Sequence, residues 1–319
     1  YSNKMANFHF WIGTLGIVFY AASMYWAGIT QSLMWKQFTP EGLLQYPNFL
    51  ETVIKIIPLY MIRAFGGVLY FIGVIVMTYN LYKTAKQGKL VANEDAEAPP
   101  MILNSPEKIK TKHRLIESRP GQFALIAAVL VIIGGAVEII PTLRIKSNIP
   151  TISSVKPYTP LELQGRDIYI REGCNNCHSQ MIRPFRSETE RYGEYSKAGE
   201  FVYDHPFLWG SKRTGPDLQR EGKKYPNLWH FYHMENPRNI SPGSIMPAYD
   251  WLITQDLDIS TTEGKVNVMR KLGVPYPEGY EKISNEELLK QADEISKDLA
   301  KNDIRVNNNK EIIALIAYL

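Results

Sequence analysis

Three long runs of apolar residues dominate the first half of the chain. Residues 9–34 and 64–82 contain no formally charged side chain, and residues 122–143 contain only Glu138. A helix needs about 20 mainly apolar residues to cross the hydrocarbon core of a bilayer. One such run could be a buried helix of a soluble protein, but three with aromatic or basic flanks argue against that. The pattern therefore predicts three transmembrane helices, the first two forming a hairpin over residues 1–82.

Prolines and charged residues mark the segments between these runs. Pro40, Pro47 and Pro58 lie between the first two runs, which predicts an outer loop there. Residues 83–120 are charged and include the run Glu-Asp-Ala-Glu-Ala-Pro-Pro, a composition typical of a solvated linker. After the third run, several prolines predict an extended stalk over residues 144–160.

From Thr159 onward the pattern is that of a small helical domain. Thr159 suits the N-cap of a helix and Pro160 its first helical position. The residues available to the buried face of this helix are Leu163, Ile168 and Ile170. Apolar residues recur at helical spacing in residues 309–319, which predicts a closing helix packed against the first one. Residues 252–303 are polar and predict a solvated helix and loops, so the predicted fold class is all-α.

Basic residues cluster between the second and third apolar runs. Those in segment 83–120 are Lys83, Lys86, Lys89, Lys108, Lys110, Lys112, Arg114 and Arg119. Between the first two runs the only basic residues are Lys36, Lys55 and the boundary residue Arg63. The positive-inside rule therefore places residues 83–120 in the cytoplasm and residues 35–57 outside. Everything after residue 143 then lies on the outer, periplasmic side of the membrane.

The net charge of +4 arises within residues 1–143, and the remainder of the chain is balanced. The basic excess therefore belongs to membrane topology, and nothing indicates nucleic-acid binding. The chain begins at Tyr1 and ends at Leu319 within an apolar helical pattern, so we expect both ends to be cuts in a longer protein. The predicted segments are a helix pair (1–88), a cytoplasmic linker (89–120), a membrane anchor (121–143) and a periplasmic domain (144–319).

The sequence Cys174-Asn175-Asn176-Cys177-His178 predicts covalent attachment of one c-type haem. The two thiols would add to the haem vinyl groups, and His178 would supply one axial ligand to iron. These are the only two cysteines of the chain. A thioredoxin-like redox pair would need a βαβ unit, and none is evident around Cys174. A zinc knuckle would need two more ligands at short spacing, but the next histidine is His205.

The second axial ligand must come from further along the chain. The candidates are Met181, Met234, Met246, Met269, His205, His230 and His233. Met246 precedes Pro247, which fixes its own φ angle and biases Met246 toward extended geometry, so the thioether would stand on a stiff loop. Met181 is too close to His178 to reach the opposite face. Ligation by histidine and methionine leaves no open iron site and raises the reduction potential, which suits an electron carrier.

Other residues are candidates for supporting roles around the haem. The Pro216 carbonyl, in Thr-Gly-Pro-Asp-Leu, could accept the free ring N–H of His178 and fix its orientation. Arg183 and Arg186 follow the haem motif closely enough to neutralise haem propionates. An ordinary turn and surface arginines remain the alternatives.

Four further polar residues lack a clear role. His230 and His233 are three residues apart and suit packing better than a copper pair or a bis-histidine haem. Arg63 and Glu138 lie near the ends of their apolar runs, close enough to the interface to snorkel. Gly66, Gly67 and Gly73 suit close packing between membrane helices.

The order CxxCH, Gly-Pro-x-Leu, Met-Pro and closing helix resembles a class I cytochrome c domain. Within 104–319, the stretches GGAVEIIPTL, REGCNNCHSQMIRPFRSETERYGEYS, EFVYDHPFLWGSKRTGPDL and NPRNISPGSIMPAYDWL are similar to the membrane-anchored monohaem subunit of cbb3-type cytochrome c oxidases. Residues 1–88 resemble the last two transmembrane helices of the catalytic subunit of the same enzyme. The chain therefore looks like the tail of a fusion of the two subunits.

This resemblance implies an electron-transfer role. The monohaem subunit accepts electrons from a dihaem subunit and passes them to the catalytic subunit, where a haem–copper centre reduces oxygen to water with proton pumping. The b-type haems and copper belong to helices that this chain lacks. We therefore expect this chain alone to carry electrons without reducing oxygen.

Two other functions stay open at this point. The haem c subunit of a nitric oxide reductase has a similar single-anchor plan and is the alternative within electron transfer. A haem-based gas sensor would need an open iron site, which a methionine ligand excludes.

Overall fold

The computed structural model describes residues 1–88, 112–145, 150–210 and 212–319. Apart from two isolated β-bridges, the regular secondary structure of these residues is helical. The chain divides into two compact units, Tyr1–Asn80 with Ile152–Leu319, and Leu81–Thr151. In chain order the helices are α1 (Asn3–Lys36), α2 (Phe49–Gln87), α3 (Lys112–Glu117), α4 (Pro120–Arg144), α5 (Pro160–Arg171), α6 (Arg186–Tyr192), α7 (Asn227–Glu235), α8 (Pro237–Ile240), α9 (Trp251–Thr254), α10 (Thr262–Lys271), α11 (Tyr280–Ala300) and α12 (Glu311–Tyr318).

Three of the described helices, α1, α2 and α4, are long and apolar enough to cross a membrane. They coincide with the three predicted runs. Helices α1 and α2 approach closely at Gly16 and Gly66, where a Cβ added to either residue would lie 2.6 Å from the carbonyl oxygen of the other. Gly73 also meets α1, at Ile12, whereas a Cβ on Gly67 would have no neighbour within 4 Å. Two of the three predicted small-residue contacts are therefore confirmed.

Helix α2 begins at Phe49, well before the predicted start, so the prediction that Pro58 lies in a loop is wrong. A proline inside a helix removes one backbone hydrogen bond. Burial of Val53 and Ile56 offsets this loss, since both side chains are almost fully removed from solvent. Tertiary packing therefore extends the helix through a segment whose local sequence disfavours it. The segment between α1 and α2, residues 37–48, is called the interhelical loop below.

The core of residues 152–319 forms where α5 and α12 pack together, as the sequence predicts. Thr159 and Glu162 form a capping box at the start of α5, with the Thr159 amide donating to Glu162 Oε2 at 2.8 Å. The two helices meet at Gly165, where an added Cβ would lie 1.9 Å from the Ala314 carbonyl oxygen. A glycine is therefore required at this crossing.

The polar segment 252–303 contributes more to the core than its composition indicates. It forms α10, α11 and most of α9, and α11 places Leu288, Ala292 and Leu299 in the core with no exposed surface. The prediction of a solvated segment is therefore corrected, because one face of α11 is buried while its other face carries the charges.

The predicted linker, residues 89–120, falls mostly outside the described residues, because residues 89–111 are not among them. Its described end contains α3. Helix α4 covers the predicted anchor, residues 121–143.

Replacing Gly165 by Ala should destabilise the domain by about 1–3 kcal/mol, the usual cost of overpacking a core. The added methyl group would collide with the backbone of α12. Chemical denaturation of the purified protein in detergent, followed by far-ultraviolet circular dichroism, measures this loss. Gly264→Ala in α10 is the matched control, because a Cβ there meets nothing within 4 Å and alanine favours a helix. Equal stability of the two variants would contradict the close packing at Gly165.

Candidate functional site

A cavity of about 400 Å³, called the central cavity below, is lined by residues of the CxxCH domain and by residues near the start of α2. This central cavity has a volume in the range of ordinary cofactor pockets. The predicted site residues that line it are Cys174, Cys177, His178, Pro216 and Met246. The structure thus brings together five residues that are separated by up to 72 positions in the sequence.

The two cysteines stand on a single 3₁₀ turn, Cys174–Asn176, that follows α5. Gly173, with φ of 71°, ends α5 and starts this turn. The His178 amide donates to the Cys174 carbonyl at 2.9 Å, which holds the histidine beside the thiols. No disulfide joins the two cysteines, and burial raises the pKa of the Cys174 thiol to about 12. The local fold therefore presents both cysteine side chains and an imidazole to one cavity.

His178 is fixed in one orientation and one tautomer. Its Nδ1 lies 2.8 Å from the Pro216 carbonyl oxygen. Because a carbonyl only accepts hydrogen bonds, Nδ1 carries the hydrogen and Nε2 keeps its lone pair. Burial lowers the pKa of His178, although the bond to Pro216 acts in the opposite direction, so the ring is neutral at pH 7. This is the state in which an imidazole binds a metal ion.

Gly215 leaves room for this imidazole. A Cβ added to Gly215 would lie 2.3 Å from His178 Cε1. The Gly215 amide also donates to the Cys177 carbonyl at 2.9 Å. The glycine therefore lets the backbone pass directly over the ring while it remains hydrogen-bonded to the cysteine turn.

A buried ion network holds the Pro216 loop in place. Asp217 accepts hydrogen bonds from Ser179 Oγ at 2.6 Å and from the Met181 amide at 3.0 Å. Arg213 completes the network by pairing with Glu188 at 2.8 Å and donating to the Met181 carbonyl at 2.9 Å. Burial raises the pKa of Glu188, but its arginine partners outweigh burial and keep that pKa below the ordinary value. The position of the Pro216 carbonyl thus depends on charged residues that do not line the cavity.

Met246 reaches the cavity from a loop that is anchored at both ends. Its amide donates to Ser244 Oγ at 3.2 Å, and the Tyr249 amide donates to the Met234 carbonyl at 2.8 Å. Met234, on α7, lines the same cavity. Two of the candidate thioethers therefore face the site, and Met246 is the one on the constrained Met-Pro loop.

His230 and His233 also line the central cavity. Burial lowers the pKa of both, that of His233 to about 4. The His233 ring stacks on Trp229 at 4.5 Å, and Trp229 stacks on Tyr225 at 4.1 Å. The three rings form a continuous aromatic wall, in keeping with the predicted packing role.

Neither of the two predicted propionate partners, Arg183 and Arg186, is among the residues that line the cavity. Arg183 pairs with Glu188, its Nη2 lying 2.5 Å from Oε1. Arg186 pairs with Glu190 at 2.6 Å and donates to the Gly42 carbonyl at 2.6 Å. The basic residues that line the cavity are instead Arg191 and Lys224. Nothing in the local sequence distinguishes Arg191 from the two neighbouring arginines, so the sequence reasoning missed it.

One side of the central cavity is formed by residues near the start of α2. These are Pro47, Asn48, Phe49, Leu50 and Val53. Phe49 in turn packs against Trp35 at the end of α1, with 5.6 Å between the ring centroids. The helical hairpin therefore supplies part of the site.

The residues around the cavity fit a covalently attached haem. They provide two thiols, a neutral imidazole with Nε2 free, a thioether and an apolar aromatic wall. The alternatives find less support. The described residues contain no strand for a thioredoxin-like unit, and in the same ranges no three His, Cys, Asp or Glu side chains group as a metal site. Neither Arg63 nor Glu138 lines the cavity. Arg63 lies over the Tyr60 ring, and Glu138 lies on an exposed face of α4.

Comparison with curated proteins finds relatives for the first part of the chain. A cytochrome c oxidase subunit 1 homolog (bacteroid) from Bradyrhizobium diazoefficiens is 49% identical over 89 residues, 28% of this chain and 16% of that protein. A cytochrome c oxidase subunit 1 from Rhodobacter capsulatus is 40% identical over 99 residues, 31% of this chain and 18% of that protein. The cbb3-type cytochrome c oxidase subunit CcoN1 of Stutzerimonas stutzeri is 40% identical over 98 residues, 31% of this chain and 20% of that protein. The chain thus spans about a fifth or less of the length of these relatives.

Two family models match successive parts of the chain. The family described as cytochrome c and quinol oxidase polypeptide I matches residues 1–69. The family described as cytochrome c oxidase, mono-heme subunit/FixO, matches residues 113–319 and so covers more than half of the chain. These matches fit the fusion that the sequence indicates. The chain therefore belongs to the mono-haem subunit family of cytochrome c oxidases, here joined to a segment of the catalytic subunit.

Proposed function

We propose that this chain relays electrons through one covalently bound haem c to the catalytic haems of a cbb3-type oxidase, which reduces oxygen to water with proton pumping. Family membership supports an electron-transfer role in a membrane-bound oxidase. The observation that carries the finer proposal is the central cavity, which collects both thiols, His178 and Met246 against the start of α2.

The side chains of the cavity have separate roles in this proposal. Cys174 and Cys177 would hold the haem through thioether bonds, and His178 and Met246 would bind its iron. Haem c, when bound, supplies a centre that gains and loses one electron. The Pro216 carbonyl keeps His178 in the tautomer that presents Nε2. The aromatic wall of Trp229 and His233 keeps water away from the site.

The composition of the cavity walls supports electron transfer from the haem toward the catalytic subunit. Phe49, Leu50 and Val53 belong to the segment that matches the catalytic subunit family, whereas both thiols belong to the monohaem segment. A residue of the acceptor subunit thus borders the cavity directly. Since Phe49 also packs on Trp35, we infer that electrons leave the haem toward the hairpin side.

The proposal also includes the predicted membrane topology, the partner subunits and their cofactors. The haem domain (144–319) would lie in the periplasm of a bacterial inner membrane, with the linker 83–120 in the cytoplasm. Its partners would be the other catalytic-subunit helices, a dihaem cytochrome c subunit and the lipid bilayer. The b-type haems and copper would be held by those subunits.

Turnover of the purified oxidase complex with each of two electron acceptors tests this proposal. With a reduced electron donor, the complex should consume oxygen, and rapid-mixing spectra should show haem c reduced before the b-type haems. Reduction of nitric oxide without oxygen consumption would contradict the proposal and favour the nitric oxide reductase alternative. Reduction of the b-type haems before haem c would contradict the proposed order of transfer.

A further inference from the structure

Arg191 occupies an unusual position between the interhelical loop and the central cavity. Its Nη1 donates to the Tyr46 and Pro47 carbonyls at 2.7 and 2.9 Å. Its Nη2 is buried and has no hydrogen-bond partner. The residue also lines the central cavity. Nη1 of the guanidinium is thus bound to the loop, whereas Nη2 is buried beside it without a hydrogen-bond partner.

A buried guanidinium nitrogen without a partner is costly. Leaving a buried donor unsatisfied costs about 1–3 kcal/mol, and more when the group is charged. No carboxylate lies within 4 Å of Arg191 in the described part of the chain. The negative charge of Glu51 acts on the guanidinium from a greater distance and raises its pKa. Burial lowers the pKa of Arg191, and Tyr192 and Glu51 offset this lowering only in part. Nη2 of the guanidinium is thus left without a hydrogen-bond partner among the described residues.

Lys224, the other basic residue at the cavity, has a carboxylate partner. Lys224 pairs with Glu221 at 2.9 Å, and Glu221 lines the cavity as well. That pair is neutral overall. Arg191 is therefore the cavity's uncompensated cation among the described residues.

We propose that Arg191 binds a propionate carboxylate of the haem through Nη2 while it holds the interhelical loop through Nη1. This inference rests on the proposed function, since it assumes a haem in the central cavity. A guanidinium presents several donors in a rigid fork, so one group can bind two backbone carbonyls and a carboxylate together. Arg191 is thus a positioning residue that connects the haem edge to the segment matching the catalytic subunit.

The midpoint potential of the haem in the purified full complex tests this inference. Removing a cation beside a propionate disfavours the reduced, more negative state of the haem, so Arg191→Gln should shift the potential to more negative values. Arg191→Lys keeps the charge but loses the fork, so its shift should be smaller and in the same direction. Spectroelectrochemical titration measures both shifts.

Arg186→Gln is the matched control. Arg186 also donates to a carbonyl of the interhelical loop but does not line the cavity. Both glutamine variants should increase hydrogen exchange of the loop amides, whereas Arg191→Gln alone should shift the potential. Equal shifts in both variants, or none in either with the haem still attached, would overturn the inference.

Two further outcomes are distinguishable. If the Gln variant at 191 fails to assemble, the lysine variant decides, and a wild-type potential there overturns the inference. If the wild-type complex carries no covalent haem, the proposed function itself is wrong.

Discussion

Simultaneous replacement of Cys174 and Cys177 by Ala should abolish covalent retention of haem by this chain. No other cysteine exists in the sequence, so no thiol remains to form a thioether bond. Oxygen consumption supported by the natural electron donor should fall to background, because electrons would no longer reach the catalytic subunit through this site. In-gel haem staining after denaturation and oxygen-electrode measurements check the two effects.

The single variants serve as controls for the double variant. Cys174→Ala and Cys177→Ala each leave one thiol on the same 3₁₀ turn, so part of the haem should stay attached through one bond. The unreacted vinyl group then remains conjugated with the ring and should shift the reduced α-band to longer wavelength. Full haem staining in the double variant would contradict the assignment of both cysteines.

The parts of this fold that could be predicted are those with strong local signals. The membrane helices follow from runs of apolar residues, whose burial in lipid needs no tertiary partner. The start of α5 follows from the capping box at Thr159 and Glu162, which acts within one helical turn. The contact between His178 and the Pro216 carbonyl could be anticipated, because a ligating histidine needs an acceptor for its free ring N–H.

Features that depend on tertiary packing escaped the sequence reasoning. Helix α2 extends back to Phe49 because Val53 and Ile56 are buried, whereas local sequence, with Pro58, indicates a loop. Which arginine of α6 faces the cavity depends on the angular position of each residue around this short helix. Arg186 turns toward Glu190, one helical turn away, while Arg191 turns toward the cavity. Nothing in the spacing of these residues indicates which one faces the site.

The shared wall of the central cavity gives the fusion a structural rationale. Residues of the segment matching the catalytic subunit border the cavity that holds the thiols. A side-chain hydrogen bond reinforces this arrangement, since Gln31 Nε2 donates to the Arg213 carbonyl at 3.1 Å and Arg213 belongs to the ion network behind Pro216. Joining the two segments in one chain raises their effective concentration and favours this contact.

Replacing Met246 by Leu should remove the proposed sixth ligand of the haem iron. We expect the weak near-infrared sulfur–iron absorption band to disappear, the reduction potential to fall, and the reduced haem to bind carbon monoxide. The physical reason is that a thioether ligand raises the potential and blocks the open coordination position. Leucine has a similar volume, so the cost in folding stability should stay below about 1.5 kcal/mol. Near-infrared spectra, potentiometric titration and carbon monoxide difference spectra measure the three effects.

Met234→Leu provides the matched control, because Met234 lines the same cavity but stands on α7. It should leave the sulfur–iron band, the potential and the insensitivity to carbon monoxide unchanged. The reverse result, with the band retained in the Met246 variant and lost in the Met234 variant, would reassign the ligand to α7. Strong carbon monoxide binding at the haem c of the unmodified protein would contradict both assignments and favour a gas-sensing haem. The pair of variants therefore separates an electron carrier with a closed iron site from a protein built to bind a gas.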